Sequence, residues 1–196
     1  MMKLVKVLLL LVVLAIGGAA AIGFGSDPEF KGRHEVVLDA PVDKVWAIVS
    51  DPRRTPEWFP TDMDGGGVKE VKGATLGEKL LDVAKEGYTA PLTRHTYVRG
   101  DGKTLTMEIV DRQYKRRYME KVIATDTGMD KLFPEMAWGF ELEPVGTGQT
   151  KLVLFDQGKA AKPVGTLARK LMGWSGSSKH FMESMARNIE KLAKAN

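Results

Sequence analysis

Between Arg33 and Pro60 the chain reads RHEVVLDAPVDKVWAIVSDPRRTPEWFP, and this stretch leaves few folds open. Val36 and Leu38 alternate with Glu35 and Asp39, the pattern of a strand with one buried face. Pro41 then suits the first position of a helix, where its missing N–H is no loss and its fixed φ helps. Asp43 places a carboxylate in the first turn, against the positive end of the helix dipole. Val42, Val45, Trp46 and Val49 recur at helical spacing and make one apolar face. Asp51-Pro52 stops that helix, and Thr55 to Trp58 forms a second short one closed by Pro60. A strand followed at once by two short helices is an α+β opening.

The rest of the chain supplies strands and then one long helix. Val68 to Val71 and Leu76 to Ala84 read as strands after the flexible Gly65-Gly66-Gly67. Asp101-Gly102 signals a type I′ hairpin turn. With those two residues as the loop, paired positions sum to 203, so that Val98 faces Leu105, Thr96 faces Met107 and Arg94 faces Ile109. Arg94 then lies inward beside Leu92, Val98, Met107 and Ile109, with Asp111 as its diagonal neighbour. His95 faces Glu108 on the outer side, as half of a surface pair. Lys115-Arg116-Arg117 reads as a solvated turn or charged edge, or as a site of attraction for anionic lipid. Residues 116–124 form another strand. Trp138, Phe140 and Leu142 alternate with Gly139, Glu141 and Glu143, which gives an aromatic inner face. From Lys162 the period becomes helical. Val164, Leu167, Ala168 and Leu171 share one face, Trp174 to Ser177 breaks the helix, and Phe181, Met185, Ile189 and Leu192 line the face of its continuation.

Several of these segments resemble the START-like, or SRPBCC, superfamily, which includes polyketide cyclase/dehydrase and lipid-transport domains. The likeness rests on Ala40-Pro41, Val45-Trp46, Asp51-Pro52 and Trp58 with Pro60. It continues in Trp138, Phe140, Glu143-Pro144, Gly146 to Thr150 and Leu152, and in the amphipathic C-terminal helix. It covers roughly residues 33–195. It implies an α+β helix-grip fold, in which a curved antiparallel sheet of about six to eight strands wraps the long C-terminal helix. The two short helices after the first strand close one end. Such a fold encloses an apolar cavity. Trp58, Phe59, Met107, Trp138, Phe140, Leu167, Leu171, Phe181 and Met185 are the candidates to line it. Arg94 is either an anchor for the polar end of a ligand or the ion-pair partner of Asp111.

The leader is the other informative stretch. Lys3 and Lys6 precede eighteen uncharged residues, Val7 to Phe24, which as a helix span about 27 Å. The length suits an uncleaved anchor over residues 1–24, with 25–32 as linker and 33–196 as a domain on the outer side of a membrane. Ala19 and Ala21 leave open a signal peptide cut near Ala21, which would free an exported domain.

Net charge is +4, and only +2 without the two leader lysines. That balance, with no recognition helix or stacking platform, speaks against nucleic acid. There is no cysteine, so thiol catalysis, disulfides and cysteine-bound metals are excluded. The three histidines show no ligand spacing, and no metal or other cofactor is expected. No nucleophile elbow, dinucleotide fingerprint or zinc-protease helix is present. The partner expected from the resemblance is a hydrophobic small molecule or lipid, held by a carrier or sensor. A cyclase/dehydrase-type enzyme remains the second reading, since the related cyclases act mainly by shaping a reactive chain and carry little motif. A structural or partner-binding domain with a filled core is the third.

Overall fold

The computed structural model describes residues 2–61, 66–73 and 94–195, with side chains from Leu11 onward. The strand expected over Leu76 to Ala84, and Leu92, lie outside the described residues. The elements follow in the order α1 (Met2–Gly25), β1 (Glu29–Leu38), α2 (Val42–Val49), a 3-10 turn (Pro52–Arg54), α3 (Thr55–Trp58), β2 (Val68–Lys72), β3 (Arg94–Arg99), β4 (Thr104–Gln113), β5 (Arg117–Thr125), α4 (Met129–Leu132), β6 (Glu135–Val145), β7 (Gln149–Lys159), α5 (Val164–Trp174) and α6 (Ser177–Ala195). Seven strands form one antiparallel sheet in the order β1-β7-β6-β5-β4-β3-β2. This is the curved sheet and helix layer of a helix-grip fold, with α6 as the long C-terminal helix.

Local chemistry sets the boundaries. β1 reaches back to Glu29, into residues read as linker, because its inward side has a place for Phe30 as well as Val36 and Leu38. Asp51 caps the 3-10 turn by accepting from the Arg53 N–H at 3.0 Å. Gly176, at φ +72°, reverses the chain between α5 and α6. α6 buries Met182, Met185, Ala186, Ile189 and Ala193 on one face. That face meets Val45, Trp46 and Val49 of α2, Trp58 of α3, and Leu152 and Leu154 of β7 in one core.

The β3–β4 hairpin departs from expectation. Its loop has three residues, Gly100 to Gly102. Arg99 N–H donates to the Lys103 carbonyl at 2.8 Å, and Gly102 sits at φ +83°. This is a turn closed by a left-handed glycine, the second common hairpin type. Pairs sum to 202 instead of 203: Arg94 faces Glu108, His95 faces Met107 and Tyr97 faces Leu105. A one-residue slip turns every β3 side chain to the opposite face. Arg94 is therefore outside, bonded to Glu108 at 3.0 Å with its side chain 69% exposed. His95 and Tyr97 point inward, each 2% exposed.

A bulge in β4 between Ile109 and Asp111 produces a second reversal. Asp111 emerges on the outer face and pairs with Arg117 at 2.8 Å, not with Arg94. Arg112 turns inward opposite Tyr118 and lies over the Trp46 ring at 5.8 Å. In the basic run at the β4–β5 turn, Lys115 pairs with Asp43 and Arg117 with Asp111 and Glu141.

α1 is 24 residues long. Its C-terminal end is fixed to the start of α5, where the Thr166 hydroxyl donates to the Gly23 carbonyl at 2.5 Å and Lys162 Nζ to the Phe24 carbonyl at 3.0 Å. Among the residues whose side chains are described, from Leu11 onward, no helix is long and apolar enough to cross a membrane.

Candidate functional site

Among the cavities bounded by the described residues, two are of similar size, and their linings differ. One, of about 290 Å³, is a crevice between Ser26–Phe30 and α5, lined in part by the charged residues Asp27, Glu29, Arg169 and Lys170. The other, of about 280 Å³, lies between the inner face of the sheet and the α5–α6 layer. Its wall is mostly apolar: Phe59, Val68, Leu105, Met136, Trp138 and Leu154 on one side, Met172, Phe181, Met182 and Met185 on the other. Its size is at the small end of the roughly 300–1,000 Å³ typical of small-molecule sites. Apolar lining with a few polar groups makes it the candidate site.

The aromatic residues hold its shape. Phe59 packs edge-on against Phe181 at 5.3 Å and against Trp138 at 6.4 Å, while Trp58 meets Trp138 at 6.0 Å and Phe140 at 5.4 Å. Edge-to-face pairs of this kind add about 0.5–1.5 kcal/mol each beyond burial. The wall polar groups are Tyr97, Arg99, Asp156, Arg169, Ser177 and Ser178. Asp156 and Arg169 form a two-bond ion pair at 2.9 and 3.1 Å. Gly32 leaves the room for it, since a Cβ there would lie 1.8 Å from the Asp156 carboxylate. The Ser178 hydroxyl is buried where α6 begins, without a hydrogen-bond partner among the described residues.

Behind Tyr97 lies a buried polar cluster. Glu120, fully buried on the inward side of β5, accepts from the Tyr97 hydroxyl at 3.0 and 2.9 Å and from the Tyr118 hydroxyl. Thr55 of α3 donates to the Tyr97 oxygen at 3.3 Å. His95 Nε2 stands 3.2 Å from Glu120 but is not aligned as a hydrogen bond. Burial, and then the Glu120 charge, push both phenols well above the ordinary tyrosine range. They therefore remain neutral donors at neutral pH, as a buried carboxylate requires. Arg112 lies on the same inner face with Nε and Nη1 buried and without a hydrogen-bond partner among the described residues, and burial lowers its pKa.

Of the residues expected around a ligand, Phe59, Trp138, Phe181 and Met185 line this cavity. Trp58, Met107 and Phe140 are buried in the core beside it. Arg94 and Asp111 are on the outer face for the register reasons given above. Leu167 and Leu171 also miss the cavity. α5 turns Gly165 and Thr166 into the protein, and leaves Leu171 52% exposed. Tyr97, His95 and Glu120 were not anticipated. The alternation Tyr118, Glu120, Val122 carried a signal, but Met119 and Ile123 are equally apolar on the other parity.

The sheet, the helix across its mouth and the apolar space between them define a helix-grip ligand-binding domain. The model for the polyketide cyclase/dehydrase and lipid transport family matches residues 29–190, and the chain belongs to that family. Solved structures share the fold. A START superfamily protein from Mycobacterium smegmatis is 16% identical, with a TM-score of 0.58 over 84% of this chain and 97% of that one. The Zhui aromatase/cyclase from Streptomyces sp. R1128 is 15% identical, with a TM-score of 0.59 over 85% and 94%. Among curated sequences, a probable malate:quinone oxidoreductase from Geobacillus kaustophilus is 28% identical over 153 residues. That match takes in 78% of this chain and only a quarter of the relative's length.

Proposed function

We propose that the domain binds one hydrophobic small molecule, lipid-like in character, in the cavity between sheet and α6, and serves as its carrier or sensor. The observation that carries this reading is the lining: an apolar wall of sulfur and aromatic side chains interrupted by a few polar groups. Burial of apolar ligand surface, at roughly 25 cal/mol per Å², drives uptake. Ser178 and the Asp156–Arg169 pair orient whatever polar end the ligand has. Native mass spectrometry of the gently purified chain tests the reading. A co-purifying apolar molecule of defined mass is expected, released when the protein unfolds. Protein that is empty after purification, and stays empty when incubated with fatty acids and polycyclic compounds, contradicts it.

A cyclase/dehydrase-type enzyme is the second reading. Its support is the buried Glu120–His95–Tyr97 cluster, whose Tyr97 borders the cavity. Turnover of a polyketide-like substrate that disappears in Tyr97→Phe would favour it. We also propose that α1 keeps the domain at a membrane's outer face, with Lys3 and Lys6 on the inner side. Exposed Leu11, Val13, Leu14, Ile16 and Phe24 support this reading. N-terminal sequencing of the protein from the membrane fraction is expected to return the uncleaved terminus. A product starting at Ile22 would mean a free exported domain.

A further inference from the structure

α5 carries its apolar stripe on the wrong side for a core helix. Val164, Leu167, Ala168, Leu171 and Trp174 share one helical face, yet Val164 is 62% exposed, Leu171 52% and Trp174 67%. The side turned into the protein consists of Gly165, Thr166 and the Asp156-bound Arg169. Leu167 and Ala168, between Val164 and Leu171, are half-buried, and the end of α1 lies against the start of α5, so that among the described residues Val164, Leu171 and Trp174 are the part of the stripe that stands open. Two further observations identify what covers it. From Gln157 to Met182 the chain has five lysines and arginines and no acidic residue; Arg169 is held by Asp156, Lys159 and Lys179 stand 3.9 and 3.8 Å from Glu135 and Glu183, and Lys170 is exposed beside the stripe. The stripe also begins where α1 ends: Gly23 and Phe24 are bonded to Thr166 and Lys162, and α1's exposed apolar side chains lead up to this junction.

We infer that the α5 face docks on the surface of an anionic bilayer. Its apolar side chains enter the headgroup boundary and Lys162, Lys170 and Lys179 meet lipid phosphates. An amphipathic helix with an apolar stripe and basic flanks binds bilayers in this way, each basic side chain near the surface adding attraction that salt screens. Trp174 occupies the interfacial position that tryptophan favours. Docking also brings the cavity to the lipid, because Met172 both lines the cavity and is 38% exposed beside the stripe. The inference holds whether the ligand is carried or converted, and it concerns α5 independently of any insertion of α1.

The other tryptophans, Trp46, Trp58 and Trp138, are buried or half-buried, so Trp174 is a reporter when wild type is compared with Trp174→Phe. The full chain is mixed with phosphatidylcholine vesicles, alone or with phosphatidylglycerol. With the anionic vesicles, the Trp174 emission is expected to shift to the blue. Acrylamide quenching of it should fall several-fold and brominated lipid should quench it. Leu171→Glu and Lys170→Glu, on exposed positions that leave the core intact, should reverse these changes, as should high salt. A chain that floats with the vesicles while Trp174 stays as open to acrylamide as in their absence would overturn the inference. So would protection of Trp174 that rises with protein concentration without vesicles, which would mean that a second copy covers the stripe.

Discussion

Glu120 shows how much a single residue depends on its neighbours. A carboxylate at zero exposure is tolerable only because two neutral phenols donate to it. Glu120→Ala removes the acceptor of both hydroxyls and leaves a hole, so urea unfolding should show a loss of about 3 kcal/mol. The phenols give a pH signature. In the unfolded chain they lose their protons near pH 10, whereas in the native protein burial holds the protons on. The native state therefore binds more protons above pH 10, and stability should fall there as pH rises. Thermal melts between about pH 9 and 11 should show that fall, and Tyr97→Phe should make it shallower. An identical slope in the variant would contradict the assignment.

Elements were legible where local chemistry dictates them. Pro41, Asp51-Pro52 and Pro60 fix both short helices, and the alternation around Trp138 and Phe140 fixes β6 and its inner face. Face assignment on β3 and β4 was not legible, because it depends on one residue of loop length and one bulge. Asp101-Gly102 suits a two-residue turn as well as the observed three-residue one, and nothing local marks the extra residue at Val110. The consequence was large: Arg94 exchanged places with His95 and Tyr97, and the polar part of the site moved with them. α5 misled for another reason. Its periodicity was read correctly, but an apolar stripe identifies a face and not what that face meets. Packing between strands gives a further check. At Gly139 a Cβ would lie 2.1 Å from the Tyr118 carbonyl, a backbone atom that cannot yield. Gly139→Ala should therefore separate β5 from β6 and lower stability by more than about 2 kcal/mol in equilibrium unfolding.

At the scale of the whole molecule, sheet and helices frame an apolar space, and the central claim is that this space receives a ligand. Leu105 and Trp138 stand on its sheet side, and Phe181 and Met185 on its helix side. Titration of the purified chain with an apolar fluorescent probe, followed by displacement with fatty acids, tests the claim most directly when wild type and Leu105→Trp are compared. Leu105 is half-buried, so the larger ring can be accommodated while it fills part of the cavity. Wild type is expected to bind the probe saturably at one site with micromolar affinity, about −8 kcal/mol. Leu105→Trp should bind at least about tenfold more weakly, or about 1.4 kcal/mol, at an unchanged melting temperature. Equal binding by the two proteins, or no saturable binding by wild type, would contradict the account.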